Sequence, residues 1–440
     1  MLTIGMSLSS CSSDSDDDNQ SSFVQGKANS DQTALNKGAW DFCAVSEGDT
    51  IYFKKDTINV GECYVVAKQY DVKNPETGEV VSVYSAEDLN ALIAEYSSKY
   101  ADFKYDRDTT FSFYSGDITI PGSVTVNGST YIVTGIGDHA FARTEITSLK
   151  MASTIRYISN DAIKQCIYLQ NVDLSENLTE IGEWAFSTDT LLTEITLPSK
   201  VTTLSLGAFG YCLRMQKINI PASVTHIEEA AFLVCQNLTS IDVDANNKYY
   251  QFKDGMLLNK GGNMLHTYVG GNKASSFTIP ESIDSIGIYA FSYCLNLKSV
   301  VVKNNITRLP EGIFFVCGNL EQVTLPNTLT HIDDGAFSYC RSLKDIVLPE
   351  SMECLGEGAF YYTTSLEEIN IPVGVKSIGG MVFYRCKSLK TVKSYIASPF
   401  AISENTFTDY DTPTLYVPSG TKEKYDATDG WKKFKNIVEM

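Results

Sequence analysis

Cysteine is the residue type in this chain whose number and spacing most invite chemistry. Eleven are present, and seven of them (Cys166, Cys212, Cys235, Cys294, Cys317, Cys340 and Cys386) fall at one position of a 23-residue period. Strands one rung apart lie about 4.8 Å from each other, so a line of thiols at that spacing permits disulfides or a metal site. The period argues otherwise. A slot filled by Cys in seven rungs, and by Asp189 and Thr363 in two more, behaves as a small buried residue. We therefore expect buried free thiols there. Cys43 and Cys63 lie outside the period and are the better disulfide pair.

Other chemistry-bearing types are sparse. Of the four histidines, His139, His226, His266 and His331, the second and fourth hold the same slot of rungs three apart. That separation is about 15 Å even ignoring the insertion described below, too far for a shared metal. The pairs Glu228-Glu229 and Asp333-Asp334 invite a general acid/base or Ca²⁺ reading. Because they recur in one turn slot, a solvated rim is the simpler account. No Gly-x-Ser-x-Gly elbow, phosphate-binding loop or Cys-x-x-Cys pair is present. The expectation is a non-enzymatic protein with no catalytic residue, no metal and no cofactor.

What positions these residues is the repeat itself. Ile332-Asp-Asp-Gly-Ala-Phe-Ser-Tyr-Cys340, with Leu343, Ile346 and Leu348-Pro349, reappears 23 residues earlier and later. Its aromatic slot runs Phe141, Ile163, Phe186, Phe209, Phe232, Phe291, Phe314, Phe337, Phe360, Phe383 and Phe407. Steps between these are 22 to 24 residues except one of 59, read as one period plus a 36-residue insertion. Leu-x-x-Ile-x-Leu is a short strand with alternate residues inward, ended by Pro. A second apolar pair, such as Val224 and Ile227, faces the other side of the coil. No rung buries these groups alone, so stability must come from stacking.

The Ala-Phe-x-x-Cys-x-x-Leu block resembles the BspA-like (Treponema-type) leucine-rich repeat family from about residue 118 to 440. Departures are Ile163 for Phe, Ile313 for Ala, and Asp189 and Thr363 for Cys. The resemblance implies an α/β solenoid: a right-handed leucine-rich repeat array of about ten 23-residue rungs with a parallel concave β-sheet, a β-rich N-terminal cap and a small C-terminal cap.

The domain reading follows. Residues 1–10 are a residual signal peptide. Leu8-Ser-Ser-Cys11 resembles a bacterial lipobox, and the acidic run after it resembles the export tag of surface lipoproteins in Bacteroides-type bacteria. Cys11 is thus the expected lipidation site, with residues 11–30 a lipidated acidic tether, surface-exposed at the outer membrane. Residues 31–118 form the β-rich cap with one helix, opened by the capping box Ser85-Ala-Glu-Asp88. The solenoid covers 119–407, with the insertion at 244–278 read as a hairpin that projects from its midpoint. Residues 408–440 are the C-terminal cap, with Trp431 and Phe434 over the last rung.

Charge narrows the partners. The chain carries −18 at pH 7, and residues 11–118 hold 20 Asp/Glu against 9 Lys/Arg. A nucleic-acid partner needs a Lys/Arg stripe, which is missing. No apolar run is long enough to span a bilayer, so the only membrane contact expected is the lipid. Two faces remain. The concave strand face offers Glu194, Thr196, Lys217, Asn219, Asp242, Lys298, Glu321, Thr324, Lys344, Glu367, Asn370 and Lys390, a mixed surface suited to a protein. An aromatic ridge comprises Tyr211, Tyr293, Phe315, Tyr339, Tyr361, Tyr362 and Tyr384, which either pack over adjacent rungs or bind sugar rings or a protein. The expected function is non-enzymatic cell-surface adhesion or ligand capture, binding host or matrix proteins. The alternatives are a glycan-binding accessory protein using the ridge, and a scaffold for another envelope protein through residues 31–118.

Overall fold

Each rung closes because its apolar residues fall at three corners of a coil, with turn-formers between them. The computed structural model describes residues 42–46, 49–67, 70–73, 76–77, 80–83, 86–99, 114–303 and 305–440. At the first corner, strands such as Lys217–Ile220 and Ser240–Val243 pair in parallel with Ile218 opposite Ile241. Ile218 and Ile220 point into the core while Lys217 faces solvent, the period-two alternation of a half-buried strand. At the second corner, two-residue strands such as Thr203–Leu204 and His226–Ile227 form another parallel ladder. The third corner is the Ala-Phe turn, whose amides also bond between rungs: Phe337 N–H donates to Ala359 O at 2.7 Å and Tyr339 N–H to Tyr361 O at 2.8 Å.

The third corner is a tight bend that leaves the α region twice per rung. Two residues before the aromatic slot, Tyr289, Gly312, Gly335, Gly358 and Met381 have φ between 53° and 60°. Two residues after it, Tyr293, Val316, Tyr339, Tyr362 and Arg385 have φ between 56° and 67°. Four rungs, with Gly207 besides these three glycines, use Gly at the first position because it has no Cβ to strain there.

From Phe291 to Phe407 the aromatic slot makes an unbroken line of ring contacts. Centroids of Phe337 and Phe360 are 5.3 Å apart and inclined by 3°, and those of Phe360 and Phe383 are 5.6 Å apart at 6°. The stack extends to Phe407, on which Phe434 and the fully buried Trp431 close in. Trp431 also donates from Nε1 to Phe400 O at 3.0 Å. Thr414–Val417 and Asn436–Glu439 continue the strand ladder beyond the last rung, both in parallel.

At the other end, β1 (Phe42–Ser46), β2 (Asp49–Lys55) and β3 (Glu62–Val66) form an antiparallel meander. β3 then pairs in parallel with Ser129–Ile136, so the meander extends the second-corner ladder. Tyr114 ties the two together: its hydroxyl accepts Tyr52 N–H at 3.0 Å, donates to Val66 O at 3.1 Å, and its ring meets Phe141 at 4.8 Å. The expected helix is present as Ala86–Lys99, with Tyr96 buried. The disulfide expected between Cys43 and Cys63 is ruled out by topology. β2 lies between their strands, which puts them about 9.6 Å apart or more, beyond bridging distance. Cys63 is a buried free thiol.

The insertion does not project. Tyr250–Lys253 and Met256–Asn259 form the expected hairpin through the positive-φ turn Asp254-Gly255. The second strand pairs with Met264–Tyr268, which joins Ser285–Ile286 of the next rung in parallel. Leu257 and Leu265 are fully buried and Met256, Leu258, Tyr250 and Tyr268 nearly so. Tyr268 stands 23 residues before Phe291, donates its N–H to Ala290 O at 2.7 Å as its counterparts do, and stacks on Phe291 at 5.0 Å. It is the aromatic of one more rung, so the 59-residue step divides into 36 and 23. The apolar interior is accordingly two clusters that meet at this hairpin: one runs from Ile51 to Val269, the other from Met256 to Ile437.

Candidate binding faces

The thiols have a structural task. Cys212, Cys235, Cys317, Cys340 and Cys386 each donate to the carbonyl of the aromatic residue one rung earlier, at 3.0 to 3.2 Å. Thr363 does the same from its hydroxyl, reaching Phe337 O at 3.1 Å. A small donor is what the slot selects, and Cys supplies one with little polarity. Burial pushes Cys235 and Cys386 up to about 12, and Cys340 well above the ordinary thiol range. The seven cysteines of the slot, with Cys63 and Cys354, are free and buried.

Asp189 fits the slot differently. Its Oδ1 accepts Cys166 N–H at 2.8 Å, while Oδ2 is buried with no partner. Burial raises its pKa well above the usual carboxylate range, because the charged form has lost its water.

Glu228, Asp333 and Asp334 are half-buried and bound into neighbouring rungs, whereas Glu229 is exposed, as a solvated rim would have it. Glu228 accepts Leu206 N–H at 2.7 Å, Asp334 accepts Glu357 N–H at 2.7 Å, and Asp333 pairs with Arg308 at 2.6 Å. They cap backbone donors that a turn leaves open. The insertion brings His266 near His226, and burial first, then that neighbour, lower His266 to about 4. Among the described residues no group of three or more His, Cys, Asp or Glu is placed to hold a metal ion.

On the strand face, Glu194, Thr196, Lys217, Asp242, Lys298, Glu321, Thr324, Lys344, Glu367 and Lys390 are exposed. Lys298–Glu321 at 3.1 Å and Lys390–Glu367 at 3.4 Å link adjacent rungs, but exposed pairs of this kind contribute at most about 1 kcal/mol and separate easily. Asn219 has a different role. Its amide donates to Leu197 O at 3.0 Å and accepts Leu197 N–H at 2.7 Å, closing the edge of the previous rung. Asn370 donates to Glu368 at 3.2 Å and leaves its Oδ1 buried without a partner. In the middle of the face, the rung between those of Gln322–Thr324 and Glu368–Ile371 forms no strand at this corner, and Val347 there is 79% exposed.

The ridge is contiguous over its carboxy-terminal part. Tyr293 meets Phe315 at 6.1 Å, Phe315 meets Tyr339 at 6.0 Å, Tyr339 stacks on Tyr362 at 4.9 Å, and Tyr361 stacks on Tyr384 at 6.0 Å. All of these rings, and Tyr211, are half-buried. They pack on one another and still present edges to solvent. Two residues absent from the sequence reading complete the ridge. Arg341 lies over Tyr339 and Tyr362 at 5.6 and 5.7 Å, and Arg385 over Tyr362 and Tyr384 at 5.4 and 5.8 Å. Basic residues within the Tyr-bearing turns of neighbouring rungs were the available signal. Beyond Arg385, whose N–H bonds Thr408 Oγ1, a cleft of about 210 Å³ opens between Phe383, Phe407, Lys387 and Asp409.

These features define a leucine-rich repeat solenoid with two decorated faces. The family model for the BspA type leucine rich repeat region matches residues 134–254 and 266–422 in six copies, and the chain belongs to that family. Solved structures agree on the fold. The pneumococcal vaccine antigen PcpA is 17% identical, with a TM-score of 0.63 over 91% of this chain and 98% of that one. A leucine rich cell surface protein from Faecalibacterium prausnitzii A2-165 is 21% identical, with a TM-score of 0.53 over 88% of this chain and 98% of that one. No curated protein matches.

Proposed function

We propose that this chain is a non-enzymatic adhesion or ligand-capture protein displayed at the cell surface, binding a host or matrix protein on its strand face. The observation that carries this is the interruption around Val347. A large apolar side chain stands 79% exposed amid the exposed charges Glu321, Lys344 and Glu367, an arrangement of apolar centre and polar surround that suits protein recognition. The names of its structural neighbours, a vaccine antigen and a cell surface protein, support surface display. Anchorage is assigned to a lipid on Cys11, which lies outside the described residues, as does the tether to residue 30. No helix among the described residues is long and apolar enough to cross a membrane.

The test is capture of immobilised fibronectin, laminin and collagen by the full chain and by Val347→Asp. Loss of capture in the variant at unchanged melting temperature supports the reading. Equal capture by both proteins, or none by either, rejects it. For the anchor, palmitate labelling that persists in Cys11→Ala removes the lipid assignment.

A further inference from the structure

We infer that the ladder formed by Tyr339, Arg341, Tyr362, Arg385 and Tyr384 binds a linear oligosaccharide that carries carboxylates at intervals, as uronic-acid-containing glycans do. Two guanidinium groups bracket the Tyr362 ring from neighbouring rungs, and neither has a carboxylate within ion-pair distance among the described residues. Arg308 and Arg156, by contrast, are both paired with acids. Arg385 spends one donor, Nη1, on the Tyr362 hydroxyl at 3.4 Å, which leaves its other N–H groups and those of Arg341 to take a carboxylate.

The rings supply the second half of the site. Tyr339 and Tyr362 stack at 4.9 Å and Tyr361 and Tyr384 at 6.0 Å, each pair one rung apart. Their faces are taken up by one another, so these half-buried rings present edges, repeating at the strand spacing of about 4.8 Å, as a line of contacts on the scale of successive sugar rings. The left-handed φ of Tyr339, Tyr362 and Arg385 (62°, 59° and 67°) holds the three side chains in one register along the rod. A repeating ligand suits a repeating site better than an irregular protein surface does.

Charge density selects among acidic glycans. The chain carries −18, so a densely sulfated polymer is repelled at long range. Two separated guanidiniums answer sparse carboxylates instead. This inference rests on the view that the chain is a binding protein, but it uses none of the strand-face residues above.

The experiment is calorimetric titration of the full chain with hyaluronan hexasaccharide, with the same oligosaccharide after its carboxylates are reduced to alcohols, and with heparin hexasaccharide. The expected result is binding of the hyaluronan oligosaccharide that weakens about tenfold or more in R341Q/R385Q and with the reduced ligand, the scale of one lost charge-assisted contact. Affinity should also fall as salt rises. Val347→Asp should leave it unchanged, and R341Q/R385Q should leave matrix-protein capture unchanged, so either proposal can fail alone. No heat with hyaluronan, equal binding of the reduced ligand, tighter binding of heparin, or an indifferent R341Q/R385Q protein overturns the assignment.

Discussion

Asp189 offers a sharp test of how the thiol slot works. Every other described occupant of that slot is uncharged at neutral pH, and Thr363 shows what a polar one does when it fits. Asp189 is fully buried, its Oδ2 has no partner, and its pKa is raised by burial. An acid with a folded pKa above its unfolded value of about 3.9 binds more protons in the native state, so its contribution to stability falls as pH rises through that window. Each unit of separation costs about 1.4 kcal/mol once both states would ionise in water. An unpartnered buried oxygen adds roughly 1–3 kcal/mol. Asp189→Thr should place a hydroxyl where it can donate to Ile163 O, as Thr363 donates to Phe337 O. Cys166 N–H can then close the turn bond that Cys340 N–H makes to Phe337 O at 3.1 Å. The relieved oxygen alone should give about 2 kcal/mol, on the order of 2 °C per kcal/mol in melting temperature, and at pH 7.5 the ionisation cost adds to that gain. At pH 4 it should shrink. Asp189→Asn keeps the acceptor for Cys166 N–H and removes only the ionisation, so it should flatten the same pH dependence. Circular-dichroism melts of the three proteins from pH 4 to 8 read the differences, in which other titrating groups cancel. A wild-type minus Asn-variant difference that does not change with pH refutes the raised-pKa account.

Four further outcomes are expected. Tyr268→Phe should stabilise by about 1 kcal/mol because its buried hydroxyl has no partner, whereas Tyr268→Ala should cost about 3–5 kcal/mol and split the calorimetric transition at the hairpin. Gly335→Ala should cost only about 1 kcal/mol for its left-handed φ of 60°, with nothing nearer than Ser338 Cβ at 3.8 Å. Gly312→Ala should cost clearly more in the same melts because its Cβ would enter the Tyr289 ring. Cys340 should resist iodoacetamide at pH 8 in the folded protein and react after guanidinium unfolding, as peptide mass mapping would show. Cys340→Thr should melt within about 1 kcal/mol of wild type, since Thr363 already serves the slot.

Phe337 and Cys340 could be assigned to the core from sequence because their period gives each rung many independent statements of the same role. Tyr268 was hidden by its identity and by the 13 extra residues in its rung, although its distance of 23 from Phe291 was there to be counted. Hairpin chemistry around Asp254-Gly255 revealed the turn, but a turn says nothing about which face of the hairpin is buried. The position of Asn219 on the strand face was correct, while its bonds to Leu197 depend on the neighbouring rung. Arg341 and Arg385 come together only through stacking, from different slots of rungs that are not adjacent in sequence. Contacts within a rung are legible; contacts between rungs need coordinates.

The hairpin that separates the two apolar clusters also has a mechanical meaning. Strand ladders and a shared core transmit tension from rung to rung; the ladders break at several rungs, but where Tyr250–Lys253 enters the apolar core divides as well. A pull on the two ends of the array would therefore meet a joint near its middle. The half that yields first unravels while the other keeps its own core. The shorter half, Met256 to Ile437, spans 182 residues, so its release lengthens the molecule by on the order of 600 Å. Such a rod lengthens in two steps, absorbing load through one half while the binding faces of the other stay folded.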